Sequence, residues 1–156
     1  MVNLVIALDL NGGIGKNNAL PWPYHKEDMK WFRDNTLNSV VIMGKNTWNS
    51  LPTKPLKDRQ NLVVTSDLSI PYNITIEQFY KIIYSNDDSY VINIIGGAKL
   101  YNYCLDLNVV KKVFLTTFKQ NYDCDTFVSK QKLLVNKKMT YQKLTDSCDY
   151  EVWELV

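Results

Sequence analysis

Residues 20–36, LPWPYHKEDMKWFRDNT, set two acids side by side, Glu27 and Asp28, in a run that otherwise reads as an amphipathic helix. With about 100° of turn per residue, Phe32 falls about 40° from Asp28, Thr36 about 80°, Met29 about 100°, and Trp31 about 60° the other way. Glu27, Lys30, Arg33 and Asp34 gather on the far side. The phase puts Asp28 in the apolar stripe and Glu27 on the solvated face. A carboxylate on an apolar face is costly unless it is paired or hydrogen-bonded. Asp28 therefore needs an internal partner or a ligand, and a carboxylate can accept two parallel N–H bonds from a planar group. The plainer alternative is a first-turn acid favoured by the helix dipole.

Two further stretches, VVIMGKNTW (40–48) and INIIGGAKLY (92–101), run from an apolar strand through glycine into a helix start. Glycine admits a ligand close to the backbone, and the free amides of a first helical turn favour an anion. Lys45 and Lys99 add a cation to each junction, and Thr47 a hydroxyl. Glycine pairs of this kind also simply cap helices. Neither stretch carries GxGxxG, which excludes an ordinary Rossmann domain.

The elements that must hold these residues follow from periodicity. Apolar runs predict strands at 3–8, 39–43, 61–65, 90–95 and 112–118, with weaker candidates at 139–144 and 149–155. Helical spacing marks 76–84, through Ile76, Phe79, Tyr80 and Ile83, and a segment opening after Gly97. The expected fold is α/β: a single domain over 1–156, a mainly parallel central sheet flanked by helices, and a C-terminal antiparallel hairpin. In such a sheet ligands bind at the carboxyl ends of the strands, where both glycine junctions fall.

Composition narrows the function. The 156 residues suit one domain, and a net charge of +2 with no basic stripe gives no footprint for nucleic acid. MVNLVIALDLNGG has no basic leader and is broken by Asp9, so neither a secretory signal nor a membrane span is expected. Three cysteines without a CxxC suit a reducing, cytoplasmic setting. A single histidine, His25, argues against a histidine triad or a multi-histidine zinc site, and no metal is expected. A borrowed cofactor is expected to carry the chemistry.

Taken in order, GIGKNNALPW (13–22), EDMKWFRDNT (27–36), VVIMGKNTWNSLP (40–52), KPLKDRQNLVVTS (54–66), INIIGGAKLY (92–101) and DCDTF (123–127) resemble the successive motifs of the dihydrofolate reductase family. The resemblance implies NADPH-dependent reduction of 7,8-dihydrofolate to tetrahydrofolate by a monomer that also binds antifolates such as methotrexate or trimethoprim-like inhibitors. Asp28, with Trp22 and Thr116, becomes the catalytic group, pairing with the pterin. The substrate site it implies comprises Val5, Ala7, Asp28, Met29, Phe32, Leu51, Leu56, Arg59, Ile95 and Thr116. Arg59 would fork the glutamate α-carboxylate. The cofactor site comprises Ala7, Ile14, Gly15, Leu20, Gly44, Lys45, Asn46, Thr47, Thr65, Ser66, Ile95, Gly96, Gly97, Ala98, Lys99, Leu100 and Tyr101. Residues 10–24 resemble the family's mobile loop, with Asp125 and Thr126 in the loop that props it.

The chain departs from the family at three places. Lys45 stands where bacterial members often have arginine, and DCDTFV lacks the usual closing proline. Asp67 follows Ser66 where several members carry a cation for the adenosine 2′-phosphate, so a narrowed preference for NADPH over NADH is expected. Two other readings stay open at this point: a related reductase of another pterin-like substrate, and a non-catalytic binding protein on the same fold.

Overall fold

The computed structural model describes residues 1–85 and 87–156. Eight strands form one sheet, in the order β5-β4-β3-β6-β1-β7-β10-β9. Six are β1 (Val2–Leu8), β3 (Val40–Gly44), β4 (Gln60–Val64), β5 (Asn73–Ile74), β6 (Ile92–Gly96) and β7 (Val110–Phe118), and they pair in parallel. β10 (Cys148–Leu155) runs antiparallel to β7 and to β9 (Lys137–Leu144), forming the terminal hairpin. The central strands are apolar on both faces and covered on both; all five residues of β6 are buried, as parallel pairing requires. β9, lysine-rich, is almost wholly exposed and closes the sheet with charge.

Five helices connect these strands: α1 (Lys26–Thr36), α2 (Lys45–Ser50), α3 (Ile76–Tyr84), α4 (Ala98–Asp106) and α5 (Lys130–Leu134). α3 begins with a capping box between Thr75 and Gln78 and buries Phe79 and Ile83. Among the described residues no helix is long and apolar enough to cross a membrane.

Four short elements lie outside the sequence expectation: β5, α5, and the two-stranded sheet of β2 (Gly13–Gly15) with β8 (Thr126–Phe127). Each is too short for a period to show. A more consequential feature lies at the sheet's centre. The β1–β6 ladder stops at Leu4–Ile94, whereas β1 stays paired to β7 as far as Leu8. Beyond that point β1 and β6 leave backbone groups free to meet something other than each other.

Candidate active site

The two acids of α1 end in different environments. Glu27 is exposed and pairs with Lys143 Nζ at 3.0 Å. Asp28 is half-buried, and Thr116 Oγ1 on β7 donates to its Oδ1 at 2.8 Å. No lysine or arginine pairs with it among the described residues. Burial pushes its pKa up, partly opposed by the Thr116 hydrogen bond and the nearby His25. His25 also fixes the helix start: its Nδ1 accepts the Asp28 amide at 3.1 Å, an N-cap made by an imidazole. Sequence reading left this role unassigned, because histidine is not among the usual capping residues.

The surroundings of Asp28 are aromatic. Trp22 is buried and stacks on Phe118 with ring centroids 4.6 Å apart; it makes no direct hydrogen bond to Asp28. Trp31 lies against Tyr150 and Tyr141, at 5.0 and 5.8 Å. Phe32, Leu51 and Leu56 pack together at the edge of a cluster built on Val5, Met43, Trp48 and Ile95 and are only partly buried. Met29 remains 37% exposed. At the other end of α1, about 12 Å from Asp28 along the axis, Arg59 Nη1 donates to Thr36 Oγ1 at 2.9 Å and Nε to the Lys57 carbonyl at 2.8 Å. Its guanidinium lies 6.0 Å from the Phe32 ring centroid. One helix thus carries a carboxylate at one end and an oriented guanidinium at the other, with apolar side chains between.

The two glycine junctions become one site because β3 and β6 are neighbours, with Met43 opposite Gly96. Gly96 has φ +142°, and a Cβ there would come within 2.7 Å of Thr47 Oγ1; only glycine allows that approach. The Gly96–Gly97 peptide is cis. α4 opens at Gly97 without a side-chain cap, and so does α2 at Gly44. Tyr101, buried on α4, donates its hydroxyl to the Val5 carbonyl at 2.8 Å, taking up an acceptor on β1 just past the end of the β1–β6 ladder. Ala98 and Leu100 pack into the core beside it; Lys99 and Asn46 are exposed. One strand farther out, Thr65 Oγ1 accepts the Asp67 amide at 3.1 Å, and the Asp67 carboxylate meets Lys45 Nζ at 2.8 Å.

Residues 10–24 are tied down by one carboxylate that sequence reading saw only as a break in an apolar run. Asp9 is 2% exposed. Its Oδ1 accepts the amides of Asn11 and Gly13 at 2.9 and 2.8 Å, and its Oδ2 the Tyr122 amide at 3.1 Å and the Cys124 thiol at 3.3 Å. Burial pushes the Asp9 pKa up, but these four bonds outweigh it and hold the carboxyl below its usual value. Burial and the facing carboxylate push the Cys124 thiol up to about 11, so it remains a donor. Asp125 accepts the Asn17 amide at 2.9 Å, and β2–β8 pairing completes the tie. Ile14 and Gly15 are half-buried, and Leu20 is 60% exposed.

The dihydrofolate reductase family profile matches residues 1–152. The chain belongs to that family. It is 38% identical over 136 residues to the dihydrofolate reductase of Ureaplasma parvum, covering 82% of this chain and 81% of that one. To the viral dihydrofolate reductase of Saimiriine herpesvirus 2 it is 38% identical over 147 residues, covering 81% and 68%. The rat enzyme, Rattus norvegicus, is 31% identical over 156 residues, covering 85% and 83%. In this dihydrofolate reductase fold, Phe32 of α1 packs against the cluster that holds Val5 of β1 and Ile95 of β6, and the loop over residues 10–24 reaches the start of α2, where Asn46 Nδ2 donates to Asn18 Oδ1 at 3.4 Å.

Proposed function

We propose that Asp28 is the catalytic carboxylate of this dihydrofolate reductase and that the α1 face, from Asp28 to Arg59, is its folate site. The observation that carries this is the Asp28–Thr116 pair: a half-buried acid, without a lysine or arginine partner among the described residues, oriented by one hydroxyl. The chain is an oxidoreductase that reduces 7,8-dihydrofolate to tetrahydrofolate with NADPH. Thr116 holds Oδ1, so the carboxylate plane is fixed while lone pairs remain for the amino-pyrimidine edge of the pterin. Phe32, Leu51 and Leu56 flank the rings, and Arg59, held by Thr36 and the Lys57 carbonyl, takes the α-carboxylate.

The cradle fits a dinucleotide. Gly96 lets the Thr47 hydroxyl come up against the backbone, and α4 presents uncapped amides. Ala7, Ile14, Gly96, Gly97 and Tyr101 would hold the nicotinamide half, and Lys45, Thr47, Thr65 and Ser66 the phosphates and adenosine. Bound there, NADPH supplies the hydride that ends on pterin C6. The protein's share is to hold the two rings face to face, to exclude water with residues 10–24, and to fix the charge of Asp28 beside the pterin, which favours the proton that solvent brings to N5. We read the chain as a monomer in a reducing, cytoplasmic setting; its three cysteines are free thiols. The test is direct: with dihydrofolate and NADPH the protein should consume nicotinamide absorbance, and without dihydrofolate it should not. A protein that binds both and passes no hydride between them is a binding protein on this fold.

A further inference from the structure

The reaction read above fixes which way the cofactor lies. Hydride passes directly between rings, so the nicotinamide must lie on the Asp28 side of the β1–β6 gap. The adenosine half then extends away from Asp28, past β3 toward the carboxyl end of β4. Adjacent strands are about 4.8 Å apart, so the end of β4 lies about 10 Å beyond that of β6, two strands in. At that end stand Thr65, Ser66 and Asp67, and across from them Lys45, in register through Gly44 and Val64. Asp67 is fixed rather than free in solvent. Its Oδ1 accepts the Ser69 amide at 3.0 Å and the Ser69 hydroxyl at 2.6 Å, and its Oδ2 meets Lys45 Nζ at 2.8 Å.

The chemistry of the adenosine ribose is binary. A carboxylate accepts a hydrogen bond from a free 2′-hydroxyl, whereas a 2′-phosphate calls for cations and hydroxyl donors. Here the one cation paired across the two strand ends already has a carboxylate partner. We propose that Asp67 sets this enzyme's cofactor discrimination: it engages Lys45, so that a 2′-phosphate must compete for the cation and meet a like charge, and it offers a carboxylate to an unphosphorylated ribose. NADPH remains a cofactor, and NADH is accepted over a margin that Asp67 narrows. This rests on the dihydrofolate reductase reading, and it adds a residue that acts against the phosphate rather than for it.

The experiment is a binding measurement. Dissociation constants for NADPH and NADH, and for the fragments 2′,5′-ADP and 5′-AMP, are measured by fluorescence and calorimetry at low and high salt. Asp67→Asn keeps an oxygen for the Ser69 amide while removing the charge, and Asp67→Ser provides a second, smaller replacement. Both should shift the NADH/NADPH ratio of dissociation constants toward NADPH by about tenfold at low salt, and by less at high salt, where exposed charges are screened. Lys45→Gln should shift it the opposite way, and in that background Asp67→Asn should lose much of its effect. An unchanged ratio in both Asp67 variants at low salt, with NADPH turnover of dihydrofolate intact, overturns the inference alone. Absence of dihydrofolate-dependent NADPH oxidation in the unmodified protein overturns the reading of the reaction instead.

Discussion

Neighbouring residues with the same charge have opposite jobs when a helix turns one inward and the other outward. Glu27 binds Lys143 at the surface, while Asp28 is held by Thr116 of β7. The helical phase separated them in the sequence, since a 100° step moves one residue from the stripe to the solvated face. Asp28→Asn should lower the rate of dihydrofolate reduction by about 10²–10⁴ at neutral pH, with partial recovery in acid, where solvent protonates N5, and with NADPH binding kept. Steady-state kinetics against pH checks this, and normal turnover at pH 7 would show that Asp28 is the wrong acid. Arg59 is a separate question, because a loop arginine carries no period. Its orientation comes from Thr36, which the sequence placed on the helix face but did not join to it. Arg59→Leu removes charged hydrogen bonds of about 1.5–3 kcal/mol, so methotrexate should bind about ten- to a hundredfold more weakly. Trimethoprim-like inhibitors, which lack the glutamate tail, should bind as before. Equal losses for both inhibitors, measured by titration, would assign Arg59 to folding.

At the scale of elements, what was legible was long and what was missed was short. Seven strands and α3 and α4 follow from runs of apolar residues with a clear period. β2, β5, β8 and α5 have two to five residues each, too few for alternation to stand out. The tie at Asp9 was hidden for a different reason: its partners are backbone amides and one thiol, spread over Asn11 to Cys124, and no residue pattern announces a backbone donor. Gly12, at φ +78°, lets the strand turn back close to the Val128 carbonyl. Asp9→Asn keeps one acceptor oxygen and turns an NH₂ toward the donors on the other side, so half of the tie is lost. The expected cost is on the order of 1–3 kcal/mol, read by denaturant unfolding, with faster proteolytic cleavage within residues 10–24. Because the Asp9 carboxyl lies below its unfolded value, its stabilisation is present above about pH 4 and is lost as pH falls through the folded value. The variant should therefore lack that part of the parent's acid sensitivity. A variant with unchanged stability and proteolysis would show that the loop is held by β2–β8 alone.

For the whole molecule, the site is also a source of instability. Asp28 has a raised pKa in the unliganded fold, so its charge opposes folding once pH exceeds the folded value, and the penalty vanishes in acid below the unfolded one. Unliganded Asp28→Asn should therefore melt above the parent at pH 7 and level with it in acid. A lower melting temperature at both pH values would mean that Thr116 depends on the charge for more than orientation. The overall α/β class was readable from strand–helix alternation, but the strand order was not, since it depends on which crossovers pack on which face. That order puts β6 between β3 and β1, with the β6–β1 seam open past Leu4–Ile94 while β6 stays paired to β3 as far as Gly96. Core strands are usually the slowest part of a protein to exchange amide hydrogens. Here the exchange map should carry a fast point at its middle: among Ile95 to Gly97, an amide turned toward β1 should exchange faster than those turned toward β3, which stays paired as far as Gly96, and faster than those of Ile92 to Ile94. Adding NADPH with methotrexate should slow exchange at that point, while equal protection with and without ligand would mean that the seam is already closed. The bound molecules then act as the sheet's missing rung, and one gap in the resting enzyme's hydrogen-bond ladder lies at its centre rather than at its rim.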